Sequence, residues 1–130
     1  MKKLLVMAAV LLLLSSPLIV LSILNHGNPL MNKWITHDVK NHLTEMAYEK
    51  SDIQKEQYVI PKMVINHDFY QTHYGVIFKD EPQLTYYYGK KKWFGEVVQF
   101  CEKDNASTYD LTAKTTEHSE ESCEYMLENR

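Results

Sequence analysis

Residues Leu4 to Leu24 form 21 consecutive positions without a charge, interrupted only by Ser15, Ser16, Pro17 and Ser22. At 1.5 Å per residue a helix of this length is about 31 Å long, close to the hydrocarbon thickness of a bilayer. A second helical pattern begins almost at once. Asn28-Pro29 is a start signal, with Asn as N-cap and Pro at the first helical position, where its missing N–H costs nothing. From there Met31, Ile35, Val39, Leu43 and Met46 recur at spacings of three and four. They occupy an arc of about 120° on a helical wheel, with Trp34 extending one edge and Lys33, His37, Lys40 and Thr44 opposite. This amphipathic helix is predicted to run to about Lys50 and to end at Ser51-Asp52.

Beyond it the period changes to two. Ile53 to Ile65 reads as extended chain interrupted by Pro61, so at best an edge strand or two short pieces. Tyr74, Val76 and Phe78 alternate with Gly75, Ile77 and Lys79, and Asp80-Glu81-Pro82 turns the chain. Leu84, Tyr86 and Tyr88 follow in alternation, then a turn at Gly89-Lys90-Lys91-Lys92, then an alternating stretch from Trp93 to Cys101. The pattern predicts an antiparallel meander of three or four strands with the amphipathic helix packed on it, a two-layer α+β fold. Ten of the fifteen aromatic residues lie between Phe69 and Phe100, so the sheet supplies most of the core. Three blocks result: 1–24, a signal-anchor or signal peptide; 25–102, the α+β domain; and 103–130, an acidic tail with room for a short helix near Glu117 to Glu128.

About 106 residues remain after the apolar run, enough for one small domain and too few for an enzyme with a separate cofactor module. The chain carries 14 basic and 17 acidic residues, and two of the basic ones, Lys2 and Lys3, precede the apolar run. The remainder is therefore at 12 − 17 = −5, the opposite lean from that of a nucleic-acid binder. The positive-inside rule puts the N-terminus in the cytoplasm and everything after Leu24 outside, as a single-pass membrane protein. The rival reading is cleavage of Leu4 to Ser22 as a signal peptide and secretion. Both readings place Cys101 and Cys123 where they can be oxidised, and two cysteines allow only one bridge. That bridge would close a loop of about 23 residues and contribute about 3.4 kcal/mol.

Candidate chemistry is sparse. Asp38 and His42 stand four apart on the helix, a spacing at which a carboxylate can orient an imidazole, but nothing supplies a nucleophile or an oxyanion hole. His67, Asp68 and His73 match no familiar metal spacing, and Asp80-Glu81 reads as a solvated turn. No catalytic residue, metal or cofactor is expected. The strongest binding candidate is Tyr86, Tyr88, Lys90, Lys91, Lys92 and Trp93, where aromatics beside lysines suit lipid headgroups or phosphate-rich wall polymers. The plainer account is a hairpin whose lysines keep its turn soluble and discourage edge pairing.

The Lys-Lys start, the single apolar run, the Asn-Pro helix and the stretch FKDEPQLTYYYGKKKWFGEVVQF together resemble an uncharacterised family of small, N-terminally anchored Firmicutes proteins known as a domain of unknown function. The resemblance implies a Gram-positive envelope location and carries over no catalytic residue. The helix-then-meander order is also similar to cystatin and PepSY arrangements, which bind or inhibit other proteins; that is an analogy of fold alone. The expectation is a non-catalytic interaction module at the cell surface. Its partner would be another envelope or membrane protein, with anionic lipid or wall polymer as a further contact. The alternative is a cleaved, secreted small inhibitor or antagonist.

Overall fold

The computed structural model describes every residue except 63–65, 94 and 128–130. Helical structure runs from Lys2 to Glu45 and is broken only at Gly27 and Asn28. Its two limbs, α1 (Lys2–His26) and α2 (Pro29–Glu45), form one bent piece of 44 residues where two separate helices were expected. The bend has a local cause. Gly27 sits at φ 71°, ψ 178°, a conformation that L side chains rarely adopt, and a Cβ there would lie 2.6 Å from the Ile60 side chain. Asn28 then restarts the helix, its Oδ1 accepting the N–H groups of Leu30 and Met31 at 3.0 and 3.4 Å. The sequence signal at Asn28-Pro29 is thus a true N-cap, but one placed inside a nearly continuous helical run.

Buried Asn32 fastens this joint to the rest of the molecule. Its Nδ2 donates to the carbonyl of His26 at 3.1 Å, and its Oδ1 accepts from the Thr72 hydroxyl at 2.8 Å. One side chain therefore ties the last turn of α1, the first turn of α2 and the sheet together. No residue of α1 is buried, and the limb is long and apolar enough to cross a membrane.

The sheet has five antiparallel strands in sequential order: β1 (Ile53–Val59), β2 (Phe69–Phe78), β3 (Leu84–Lys91), β4 (Val97–Asn105) and β5 (Asp110–Thr112). Three or four were expected. The extra strand, β5, is only three residues long, too short for an alternation to register. β1 stops at Val59, before Pro61; the expected continuation through Met63, Val64 and Ile65 lies outside the described residues. β4 begins at Val97 instead of Trp93, because Lys92 and Trp93 belong to the preceding turn. The helix likewise ends at Glu45, short of Lys50, where Ala47 adopts φ 65° and turns the chain toward Tyr48.

Ile35, Val39 and Leu43 of α2 pack on Tyr74, Val76 and Phe78 of β2 and on Leu84, Tyr86 and Tyr88 of β3. These strand residues alternate, so they share one face of the sheet. Met46, assigned to the same stripe, is past the helix end and exposed.

Residues after Glu102 complete β4 and form β5, and the chain then folds back. In place of the short helix expected from Glu117, the described residues form turns and a parallel bridge between Glu124 and Phe100. The N–H of Cys101 donates to the carbonyl of Glu124, and the N–H of Glu124 to that of Gln99, both at 3.0 Å. Cys101 and Cys123 are joined in a disulfide, as the sequence predicted. Met126 then packs with Phe69 and Phe100 in a second small cluster, on the sheet face opposite α2. The returning segment thus covers the edge of β4 that short β5 leaves open, a shield against edge-to-edge pairing.

Candidate functional site

The stretch singled out in the sequence is distributed by β3 to both faces of the sheet and to the turn beyond it. Tyr86 and Tyr88 point under α2 and are fully buried. The Tyr86 hydroxyl donates to Glu81 and lies 2.6 Å from Thr116 Oγ1, and Tyr88 Oη accepts from Gln99 Nε2 at 3.0 Å. Burial pushes both phenols well above the usual tyrosine range. Neither ring offers a face to a base or a polymer.

Lys90 is buried as well. Its ammonium donates to Asp38 and, at 2.6 Å, to the carbonyl of Gly95, while lying 4.4 Å from the centre of the Trp34 ring. Burial works to raise the Asp38 carboxyl, but the bonds from Lys90 and His37 outweigh it and hold that group below its ordinary value. Lys91 reaches the other face and pairs with Glu124 of the returning segment, which raises its own pKa. Two of the three lysines are therefore clamps: Lys90 locks α2 to the β3–β4 turn, and Lys91 holds the C-terminal segment. Lys92 and Trp93 are what remains exposed at the tip.

The helix pair of Asp38 and His42 does not come together. Asp38 goes to Lys90, whereas His42 Nε2 donates to Glu120 Oε1 at 2.9 Å, 78 residues away in sequence. That bond raises the His42 pKa against the opposing effect of burial. Asp80 and Glu81 also separate: Asp80 accepts from His118 at 2.9 Å, and Glu81 from Tyr86. His118 Nδ1 lies 3.1 Å from the Tyr48 hydroxyl, and the ring stacks on Phe78 at 4.0 Å between centroids.

His118, Glu120 and Gln99 form the polar hub that sequence reasoning missed. Fully buried Gln99 donates to Tyr88 and to the carbonyl of His118 at 2.8 Å, and accepts the N–H of Glu120 at 2.8 Å. Its position in the alternation of β4 marks it as facing α2; nothing in the polar tail marks residues 118 and 120 as its partners. The hub fastens the returning segment to β4 through Gln99, to α2 through His42 and to the loop after α2 through Tyr48.

His67 and Asp68 are exposed in the β1–β2 connection, and His73 is buried on the face opposite α2, its ring edge-on to Phe100 at 4.8 Å. Among the described residues no group of three His, Cys, Asp or Glu side chains is placed to hold a metal ion. Burial depresses His73 to about 4. Its unfolded value is near 6.5, so between about pH 6.5 and 4 the unfolded chain takes up a proton that the folded one refuses. Stability is expected to fall as pH drops through this window, and His73→Gln is expected to flatten the fall in urea titrations at pH 7, 5.5 and 4.5. An unchanged slope in the variant would assign the acid sensitivity elsewhere.

Residues 1–88 match the family described as a protein of unknown function (DUF3139). No curated protein matches the chain, and no solved structure does. The matched stretch takes in α1, the capped joint, α2, β1, β2 and β3 as far as Tyr88, which is the part that joins the apolar helix to its sheet. By that match over two thirds of its length, the chain belongs to the DUF3139 family.

Proposed function

We propose that this protein is a membrane-anchored, extracytoplasmic interaction module. In this reading α1 spans the bilayer with Lys2 and Lys3 on the cytoplasmic side, and the α2–sheet domain contacts another envelope protein without doing chemistry of its own. The observation that carries it is α1 itself: an apolar 25-residue helix with no buried residue, joined through a two-residue break to a folded domain. A helix of that composition left bare in water would be strongly unfavourable, whereas hydrocarbon suits it. The disulfide supports the outward placement of the domain, since such bonds persist in oxidising compartments.

The test is fractionation of cells that make the protein, followed by intact mass with and without reductant and by cross-linking. Full-length chain in the membrane fraction, gaining the mass of two hydrogens on reduction and cross-linked repeatedly to the same membrane protein, is the expected result. A truncated species in the medium would overturn the anchor in favour of a secreted antagonist. A full-length membrane species that cross-links to nothing under any condition would overturn the interaction role.

A further inference from the structure

The register of the sheet fixes which parts of the molecule share an end. Phe69 at the start of β2 lies opposite Lys91 at the end of β3, and Lys90 lies opposite Val97 at the start of β4. The joint of the two helix limbs is tied to this same end through Asn32 and Thr72, through Trp34 against Tyr70 at 5.6 Å, and through Gly27 against Ile60. The β3–β4 turn, the β1–β2 connection and the exit of α1 therefore sit together. Phe78, Leu84, Asn105 and Asp110 mark the opposite end.

The two ends differ in chemistry. At the α1 end Trp93 is 83% exposed on the tip of the turn, beside exposed Lys92, and Leu30 is 76% exposed on the first turn of α2, with Lys33 and Lys62 nearby. The exposed acids there are Asp68 and Glu96, while Glu124 is engaged by Lys91 and Asp38 by Lys90. The far end carries Glu49, Asp52, Asp80, Asp104 and Asp110, offset by Lys50 and Lys79. A tryptophan and a leucine held in water by a short turn and a helix start are unfavourable placements for a protein working in solution. The same residues beside lysines, at the end from which an apolar helix departs, are the combination that settles at a membrane–water interface.

We propose that the tip of the β3–β4 turn is a second membrane contact, with Trp93 seated among the headgroups of the bilayer that α1 enters and Lys92 against their phosphates. The inference rests on the membrane-anchored reading above and adds to it that the sheet meets the bilayer at this end, with its acidic end turned away. Trp93 and α1 then hold the domain at two points, which fixes its orientation.

The experiment uses full-length protein in vesicles of phosphatidylcholine and phosphatidylglycerol, with brominated lipid as the membrane quencher and acrylamide as the aqueous one. Subtracting the emission of Trp93→Phe from that of the wild type isolates Trp93; the substitution falls on an exposed ring and leaves the core untouched. Tyr109→Trp in the Trp93→Phe background places a reporter on the far end, at a residue 95% exposed. Quenching of the Trp93 component by brominated lipid, with acrylamide quenching reduced roughly twofold or more relative to the Tyr109→Trp reporter, is the expected result. Vesicle-bound protein in which acrylamide quenches both reporters alike would overturn the second contact while leaving the anchor standing. Protein that fails to float with the vesicles would overturn the anchor, and this inference with it.

Discussion

Asp38→Ala is expected to destabilise the domain by about 3 kcal/mol, a large share of the stability of a small domain. The cost does not come from losing an attraction. Lys90 retains only 5% exposure of its side chain, and removing Asp38 leaves its ammonium out of water with only the Gly95 carbonyl and the Trp34 ring for company. An uncompensated buried charge costs more than the pair contributed. The same reasoning predicts a rescue. In Asp38→Ala/Lys90→Met the orphaned charge is gone and a flexible apolar chain fills the space beside Trp34, so most of the loss should be recovered. Urea midpoints of wild type, both single variants and the double variant close the cycle. A double variant as unstable as Asp38→Ala alone would show that Lys90 is not the group being protected.

Loss of the disulfide is the second large effect. Cys101 and Cys123 are 22 residues apart, and the chain-entropy estimate for such a loop gives about 3.4 kcal/mol. Cys123→Ser is expected to lower stability by about that much and to loosen the returning segment before the rest unfolds. Hydrogen exchange distinguishes this local loosening from global destabilisation. The amide of Cys101, which donates to Glu124, should lose protection first, ahead of the amides within α2. Equal loss in both would mean that the segment and the sheet unfold as one unit.

Much of this architecture was written in local patterns. The apolar run, the Asn28 cap with Pro29, the stripe of Ile35, Val39 and Leu43, and the alternation through Tyr74, Val76, Phe78, Leu84, Tyr86 and Tyr88 each follow from residues within a turn or a strand of one another. The bend at Gly27 was less legible, because a glycine after an apolar run reads equally well as a linker. The candidate site was only partly legible for a different reason. Lysines beside tyrosines look free in sequence, whereas Asp38 and Glu124, which engage Lys90 and Lys91, come from 52 residues before and 33 residues after. The same holds for His42 with Glu120, where a partner four residues away was passed over for one across the fold. Long-range polar pairing has no period, and it decided which of the candidate side chains stayed available.

The Asn32 joint has a mechanical consequence. A flexible stalk would let the domain sweep a wide volume, but here the last turn of α1, the first turn of α2 and Thr72 share one side chain, so the sheet cannot drift from its point of exit. The ten residues of β2, the longest strand, span about 34 Å. On the proposed reading, with α1 in a bilayer, the domain would reach only a few nanometres from the membrane, and any partner would have to come that close.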